Sequence, residues 1–280
     1  MRQTLDSLLD APRTVYAACG ISLTIGLFFT FVWAPHPWSW EGIDQYHNLA
    51  RALARGEPFG TTDVPWGYAY FVAGFYAVFG EHAWIPVVAQ VVINASVPVL
   101  LYWLVQPLIG HRMATLAALI AGVFSFNTVY ASTQASDAVC TVAFLAALLC
   151  FARGVAGRHP VYFVASGLLS GLVPQFRPNM ILLPAVMVAL YLVARPHAWR
   201  KAAQMAAFAA CVGLALSPWI VRNYRLTGLF MPTSTHGGVQ LWYGTLQTGP
   251  YLETYSANPR AIFQSAPFDY TSLADRKSVV

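Results

Sequence analysis

The sequence predicts an all-α integral membrane protein of about seven transmembrane helices, with flat amphipathic helices on the outer face of the membrane. Three observations point there. Of the 280 residues, 57% are hydrophobic and only 10% are charged, where a soluble domain carries about 25% charged residues. The apolar residues fall in uncharged runs long enough to cross, or nearly cross, a hydrocarbon core of about 30 Å. Most basic residues sit in the short gaps between those runs, where they set topology. The net charge of +5 is therefore no argument for a nucleic-acid partner.

The runs, in order, are 14–33, 83–110, 113–136, 138–152, 161–176, 178–194 and 202–221. The first follows Arg2 and Arg13. It is longer than the roughly 7–15 apolar residues of a signal peptide, and Trp33-Ala34-Pro35 offers no small-residue cleavage site. A retained span is expected. Pro98, Pro174 and Pro184 are expected to kink their helices. Cys19, Cys140, Cys150 and Cys211 lie inside runs without metal or redox spacing, which makes them small core hydrophobes. Gln90, Asn94 and Asn127 also lie within runs, and interhelical hydrogen bonds are their expected use.

Residues 64–80 are apolar but open with Val64-Pro65-Trp66-Gly67-Tyr68 and are dense in aromatics, which suits the headgroup level. This stretch lies flat or crosses. Arg112, Arg153, Arg158, Arg195, Arg200 and Lys201 occupy alternate gaps and place them in the cytoplasm. With 64–80 flat, the loop 34–82 is external; with 64–80 crossing, that loop is internal. Only the flat arrangement gathers Asp44, Asp137, Arg177 and Arg222 on one face. The organisation is then a transmembrane module over 14–221 with an external first loop, 34–82, and an external loop and tail over 222–280.

The first loop holds the residues around which the rest is arranged. Ile43, Tyr46, Leu49 and Leu53 fall at helical spacing and Gly56 is a stop signal, predicting a short helix on the membrane surface with Glu41 and Asp44 at its N-terminal end. Asp44 is a dipole-favoured first-turn acid or a general base; Glu41 is the fallback for the second role. Asp137 opens the run 138–152, as a cap or as a functional carboxylate at the membrane boundary. Arg177 lies on the outer side, where the charge rule disfavours arginine, so it has a specific partner or snorkels to the headgroups. Arg222 and Arg225, close to Trp219 and Tyr224, suit a lipid phosphate or an interfacial anchor. His236 precedes Gly237-Gly238, whose backbone amides could approach a bound group.

Taken in order, these stretches resemble the GT-C type membrane glycosyltransferases, the group that includes dolichyl-phosphate-mannose protein mannosyltransferases and lipid A aminoarabinose transferases. The likeness rests on an acid ahead of Tyr46-His47-Asn48-Leu49-Ala50 and Gly56, and on Pro65-Trp66-Gly67-Tyr68. It continues through Gly171 with Arg177-Pro178, then Pro218-Trp219, Arg222-Asn223-Tyr224, Pro232-Thr233-Ser234 and Gly237-Gly238. It covers about residues 14–245. The resemblance implies inverting transfer of a sugar from a polyprenyl-phosphate donor to a lipid, glycan or protein acceptor, on the periplasmic face of a bacterial plasma membrane. In that scheme Asp44, or Glu41, assists the acceptor and Asp137 is a second acid. Arg177, Arg222, Arg225 and His236 would stabilise the departing lipid phosphate. A divalent cation stays open as a cofactor. Members of the group usually continue with further spans and a soluble outer domain, so the chain is expected to be incomplete. Two other classes remain: a transporter or flippase, which would place polar groups near the midplane, often in inverted repeats, and a non-catalytic scaffold derived from a truncated transferase.

Overall fold

The structure is a computed structural model that describes residues 9, 11, 13–33, 44–194 and 202–235. Among these residues it is helical, with no strand. Helix α1 (Arg13–Phe28) continues through a π-helical turn, Phe29–Trp33. Then come α2 (Asp44–Ala54), α3 (Gly67–Phe79), α4 (Trp84–Asn94), α5 (Val97–Val123), α6 (Ser125–Tyr130), α7 (Asp137–Val155) and α8 (Val161–Leu172). Two 3-10 turns, Val173–Gln175 and Pro178–Met180, lead to α9 (Leu183–Ala194), and α10 (Ala202–Thr227) follows.

Among the described residues, four stretches are long and apolar enough to cross a membrane: Arg13–Trp33, Trp84–Val123, Asp137–Val155 and Ala202–Thr227. Gly67–Phe79, Val161–Gln175 and Pro178–Val193 are apolar but shorter. The 40-residue stretch Trp84–Val123 is not one rod. The chain turns at 95–96, and Gly110 breaks α5 with φ +79°, a backbone state that glycine adopts without steric cost. The seven expected runs all map onto helices, but two of them are broken. Run 83–110 is divided into α4 and the first arm of α5. Run 113–136 ends as helix at Val123 and passes through the short α6 into irregular backbone.

The prolines act differently from expectation. Pro98 occupies the first turn of α5, Pro174 the first turn of a 3-10 helix, and Pro184 the second position of α9. A first-turn proline withholds an N–H that has no intrahelical partner anyway, so these residues start helices instead of kinking them. Pro107 and Pro218 are the ones inside helices.

Glycine sets the closest helix approaches. Gly167 and Gly171, spaced as in small-xxx-small pairs, bring α8 against the backbone of Phe208 and Val212 on α10. Gly122 does the same for α5 against Ala18.

Helix α3 is 13 residues long, about 20 Å, and packs mainly against α2. A Cβ at its first residue, Gly67, would sit 2.6 Å from Gln175 O. Tyr68 reaches Gln90, which bonds the carbonyls of Ala131 and Thr133, and Tyr76 reaches Gln134. Both halves of α3 thus meet the short segment 131–134. We call this the loop end. Every described aspartate and glutamate (Asp44, Glu57, Asp63, Glu81 and Asp137) belongs to it. The far end carries Arg112, Arg153 and Arg158, and there Arg153 lies over the rings of Trp103 and Tyr162, 5.6 and 5.8 Å from their centroids.

Candidate active site at the loop end

Helix α2 forms where the spacing predicts it, from Asp44 to Ala54, and Gly56 ends it with φ +81°. Its apolar face turns inward. Ala50 is fully buried among Tyr68, Val72 and Tyr76. Tyr46 and Leu53 also pack against that cluster, and with Leu49 they touch a second one around Phe59, Val64 and Trp219. Polar contacts fix the helix further. Arg51 Nε donates to Glu81 at 2.7 Å. The Tyr76 hydroxyl accepts a bond from Gln134 Nε2 at 2.8 Å and meets His47 Nδ1 at 2.7 Å. Burial first, and then the neighbouring Arg51 charge, hold the His47 imidazole below its ordinary pKa, against the opposing pull of Glu81. With His47 neutral, its Nδ1 accepts a hydrogen bond from the Tyr76 hydroxyl and its own proton sits on Nε2.

Asp44 is placed as the first residue of α2 by its backbone; its side chain is outside the described part of the structure, as are Glu41 and His236 altogether. Asp137 opens α7 and forms an ion pair with Arg177, whose Nη2 donates to Asp137 Oδ2. Proline disfavours the helical region for the residue before it. Arg177, ahead of Pro178, accordingly sits at φ −137°, ψ 104° between the two 3-10 turns. The side chains of this pair are 43% and 34% exposed, so the pair is reachable from outside the protein. Arg177 Nε is buried and has no partner among the described residues. Tyr46 joins α2 to this pair: burial pushes its phenol up, while Ser136 and the Arg177 charge pull it down and Asp137 adds to the rise. The phenol stays protonated.

Arg222 and Arg225 have different surroundings. Arg222 lies 4.3 Å from the Trp219 ring centroid and donates to Thr61 O at 3.0 Å, to Asn223 Oδ1 at 2.9 Å and to Phe59 O. It fastens the 58–62 loop to α10. Arg225, one turn on, is exposed and has no partner among the described residues. Both line a recess of about 610 Å³ with Phe59, Trp66, Tyr70 and Trp219. The buried Nε1 of Trp66 has no partner there either. A second recess, of about 600 Å³, runs between α5 and α7, with Asp137, Thr141, Tyr130 and Asn127 as its polar members and alanine, valine, leucine, isoleucine and phenylalanine along its walls.

Several residues that build this end were not singled out as site residues from the sequence. Asn223, fully buried, donates to the carbonyls of Met231 and Thr233. Trp219 Nε1 donates to Thr233 O at 2.8 Å, and Gln175 Nε2 to Pro232 O at 3.0 Å. These bonds tie 231–233 across the site. The available signal was a fully polar side chain within or beside an apolar run. That signal did identify Gln90, Asn94 and Asn127, and Asn127 Nδ2 donates to Asn94 Oδ1 at 2.8 Å. Among the described residues, no three of His, Cys, Asp and Glu come together as a metal donor set.

Residues 63–221 match the family described as dolichyl-phosphate-mannose-protein mannosyltransferase. The matched stretch includes Asp137 and Arg177 and ends just before Arg222. The chain is also 26% identical, over 210 residues, to a protein of Bacillus subtilis (strain 168) named "Putative mannosyltransferase YycA". That alignment covers 74% of this chain and 29% of the relative. No solved structure matches.

Proposed function

The chain belongs to the dolichyl-phosphate-mannose-protein mannosyltransferase family, and from that premise we propose that it transfers a sugar from a polyprenyl-phosphate-linked donor to an acceptor at the outer face of the membrane. One observation carries the reading. The helix that begins at Asp44, the Asp137–Arg177 pair and the arginine recess share one end of an apolar bundle. The far end, with Arg112, Arg153 and Arg158, fits the positive-inside rule, which supports an outward-facing loop end in a plasma membrane.

In this proposal the polyprenyl phosphate binds beside Arg225 and the Trp66 indole N–H, with Arg222 adding its charge. A hydroxyl of the acceptor attacks the anomeric carbon from the side opposite the phosphate. As the new C–O bond forms, the proton passes to the Asp44 carboxylate, with Glu41 as the alternative base. The bond from the anomeric carbon to the phosphate oxygen breaks, and its electron pair leaves with the lipid phosphate. The cationic groups stabilise that charge. Asp137, held by Arg177, orients the acceptor. His236 is a further candidate for the phosphate.

The test is transfer from polyprenyl-phosphate [14C]mannose in membranes containing the protein. Asp44→Asn keeps the size and the capping ability but removes the base, which typically contributes ~10²–10⁴-fold. Turnover is expected to fall about a hundredfold or more with unchanged expression. Undiminished turnover in both Asp44→Asn and Glu41→Gln would refute the assignment.

A further inference from the structure

The two recesses at the loop end differ in charge, and that difference selects their occupants. The recess at Arg222 and Arg225 is cationic and aromatic. The groove between α5 and α7 has a carboxylate, Asp137, at its polar end. The exposed Arg225 draws a phosphate to the first, whereas at the second Asp137 is already paired with Arg177 and the pair carries no net charge to favour one. If the first recess takes the donor phosphate, the groove takes an uncharged partner.

The shape of the groove says more. On α7 it is lined by Asp137, Thr141 and Leu145, one face at four-residue intervals, which runs roughly 12 Å down the helix axis. That is close to half of the approximately 30 Å hydrocarbon core, so the groove is one leaflet deep. The opposite wall is Val97 and Leu101 with Ala117, Ile120 and Ala121, and Ile120 is 55% exposed. The groove is open sideways along an apolar wall; Asp137, Asn127 and Tyr130 are polar groups near one end, and the Thr141 hydroxyl, a turn further down, is turned back to Asp137 O.

We infer that this groove holds the acceptor, and that the acceptor is a glycerolipid with an uncharged hydroxylated head, its acyl chain between α5 and α7 and its hydroxyl at Asp137. This rests on the transferase reading above and names its acceptor class. Asp137, ion-paired with Arg177, accepts the hydrogen bond of the hydroxyl and turns its oxygen towards the donor. The small side chains of Ala117 and Ala121 leave the width that a chain needs.

The experiment uses the purified full chain in phosphatidylcholine vesicles with two readouts. The first is photolabelling by a diacylglycerol that carries a diazirine in its acyl chain. Label is expected on α5 and α7 beside Ile120 and Leu145, and Ala121→Phe should cut it at least tenfold. Labelling there by a polyprenyl-phosphate diazirine probe in preference to the diacylglycerol would overturn the inference, because the groove would then hold the donor. The second is transfer from polyprenyl-phosphate [14C]mannose to dioleoylglycerol. Ala121→Phe should raise KM for the diacylglycerol at least tenfold and change KM for the donor less than twofold. Leu190→Phe, on the exposed side of α9, should change neither. Donor consumption that yields a labelled peptide or soluble glycan and no glycolipid would also overturn it. Photolabelling without any donor consumption would leave the lipid groove standing and remove the transferase reading, so the two failures are distinct.

Discussion

Replacing Tyr76 with phenylalanine deletes one hydroxyl from the seam between α2 and the bundle. In the wild type that oxygen lies 2.7 Å from His47 Nδ1 and 2.8 Å from Gln134 Nε2. Gln134 is fully buried, and without the hydroxyl its amide nitrogen keeps only a 3.3 Å bond to Ala83 O. A buried polar group left unsatisfied costs about 1–3 kcal/mol. The half-buried His47 can turn partly to water and adds less. A loss of about 1–2 kcal/mol in the docking of α2 follows, which is a factor of about 5–30 in the undocked population. Trypsin reads that population directly, because Arg51 and Arg55 lie on α2 and at its end. When opening is fast, cleavage follows the open fraction. Tyr76→Phe should therefore be cut about 5–30-fold faster in the 51–55 region, and sugar transfer should fall while KM for the donor stays put. Adding His47→Ala should cost less than the sum of the two single changes, as expected for groups in contact. Wild-type cleavage in Tyr76→Phe, or strictly additive effects, would refute the idea that this hydroxyl holds α2 and its Asp44.

The pH dependence of the same seam has a definite sign. The folded-state pKa of His47 lies below its ordinary value of about 6.5, so docking is at full strength above that value. It weakens as pH falls through 6.5 towards the lowered value; tryptic cleavage in the 51–55 region should rise on acidification, and His47→Gln should flatten the profile. The two recess arginines should separate cleanly. Arg222→Ala loses charge-assisted bonds to Phe59 O and Thr61 O, each worth about 1.5–3 kcal/mol, and should lower the thermal midpoint, with Arg222→Lys a poor rescue because it lacks the fork. Arg225→Ala should leave that midpoint near wild type and raise KM for the donor about ten- to a hundredfold, the equivalent of one charged hydrogen bond. Finally, Gly67→Ala drives a Cβ against Gln175 O and should destabilise by about 1–3 kcal/mol. Gly74→Ala meets nothing within 4 Å and should be neutral or stabilising by up to about 1 kcal/mol; thermal unfolding in detergent compares the two.

Features written in local spacing were the ones legible in the sequence. The period of Tyr46, Leu49 and Leu53 and the stop at Gly56 gave α2 with its observed end, and isolated amides in apolar runs gave the Gln90 and Asn94–Asn127 bonds. The breaks in runs 83–110 and 113–136 were hidden for a physical reason. Hydropathy does not register whether a backbone polar group is satisfied within its own helix or by a neighbour. Non-helical backbone at membrane depth is tolerated where protein supplies the partners. Here Gln90, 41 and 43 residues away in sequence, supplies them to Ala131 and Thr133. The roles of the arginines were equally hidden. Arg222 and Arg225 look alike in sequence, three residues apart, and only the fold shows that one clamps Phe59 and Thr61 while the other stands exposed.

The same contrast shows where the loop end is built for its own stability and where it is left incomplete. Trp219, Gln175 and Asn223 all direct side-chain N–H groups to carbonyls of the 231–233 segment, as buried donors generally do. Trp66 Nε1, Arg177 Nε and Ser234 Oγ are among the donors at this end that are buried with no partner among the described residues. Leaving such a group unpaired costs about 1–3 kcal/mol, which the fold avoids a few ångströms away with the indole of Trp219. Trp66 lines the arginine recess, and Arg177 holds the carboxylate at the head of the apolar groove. An unpaired donor on a residue beside each recess is a cost that a rearrangement on ligand binding can remove. That couples ligand binding to the two places where the proposed donor phosphate and acceptor hydroxyl would have to meet.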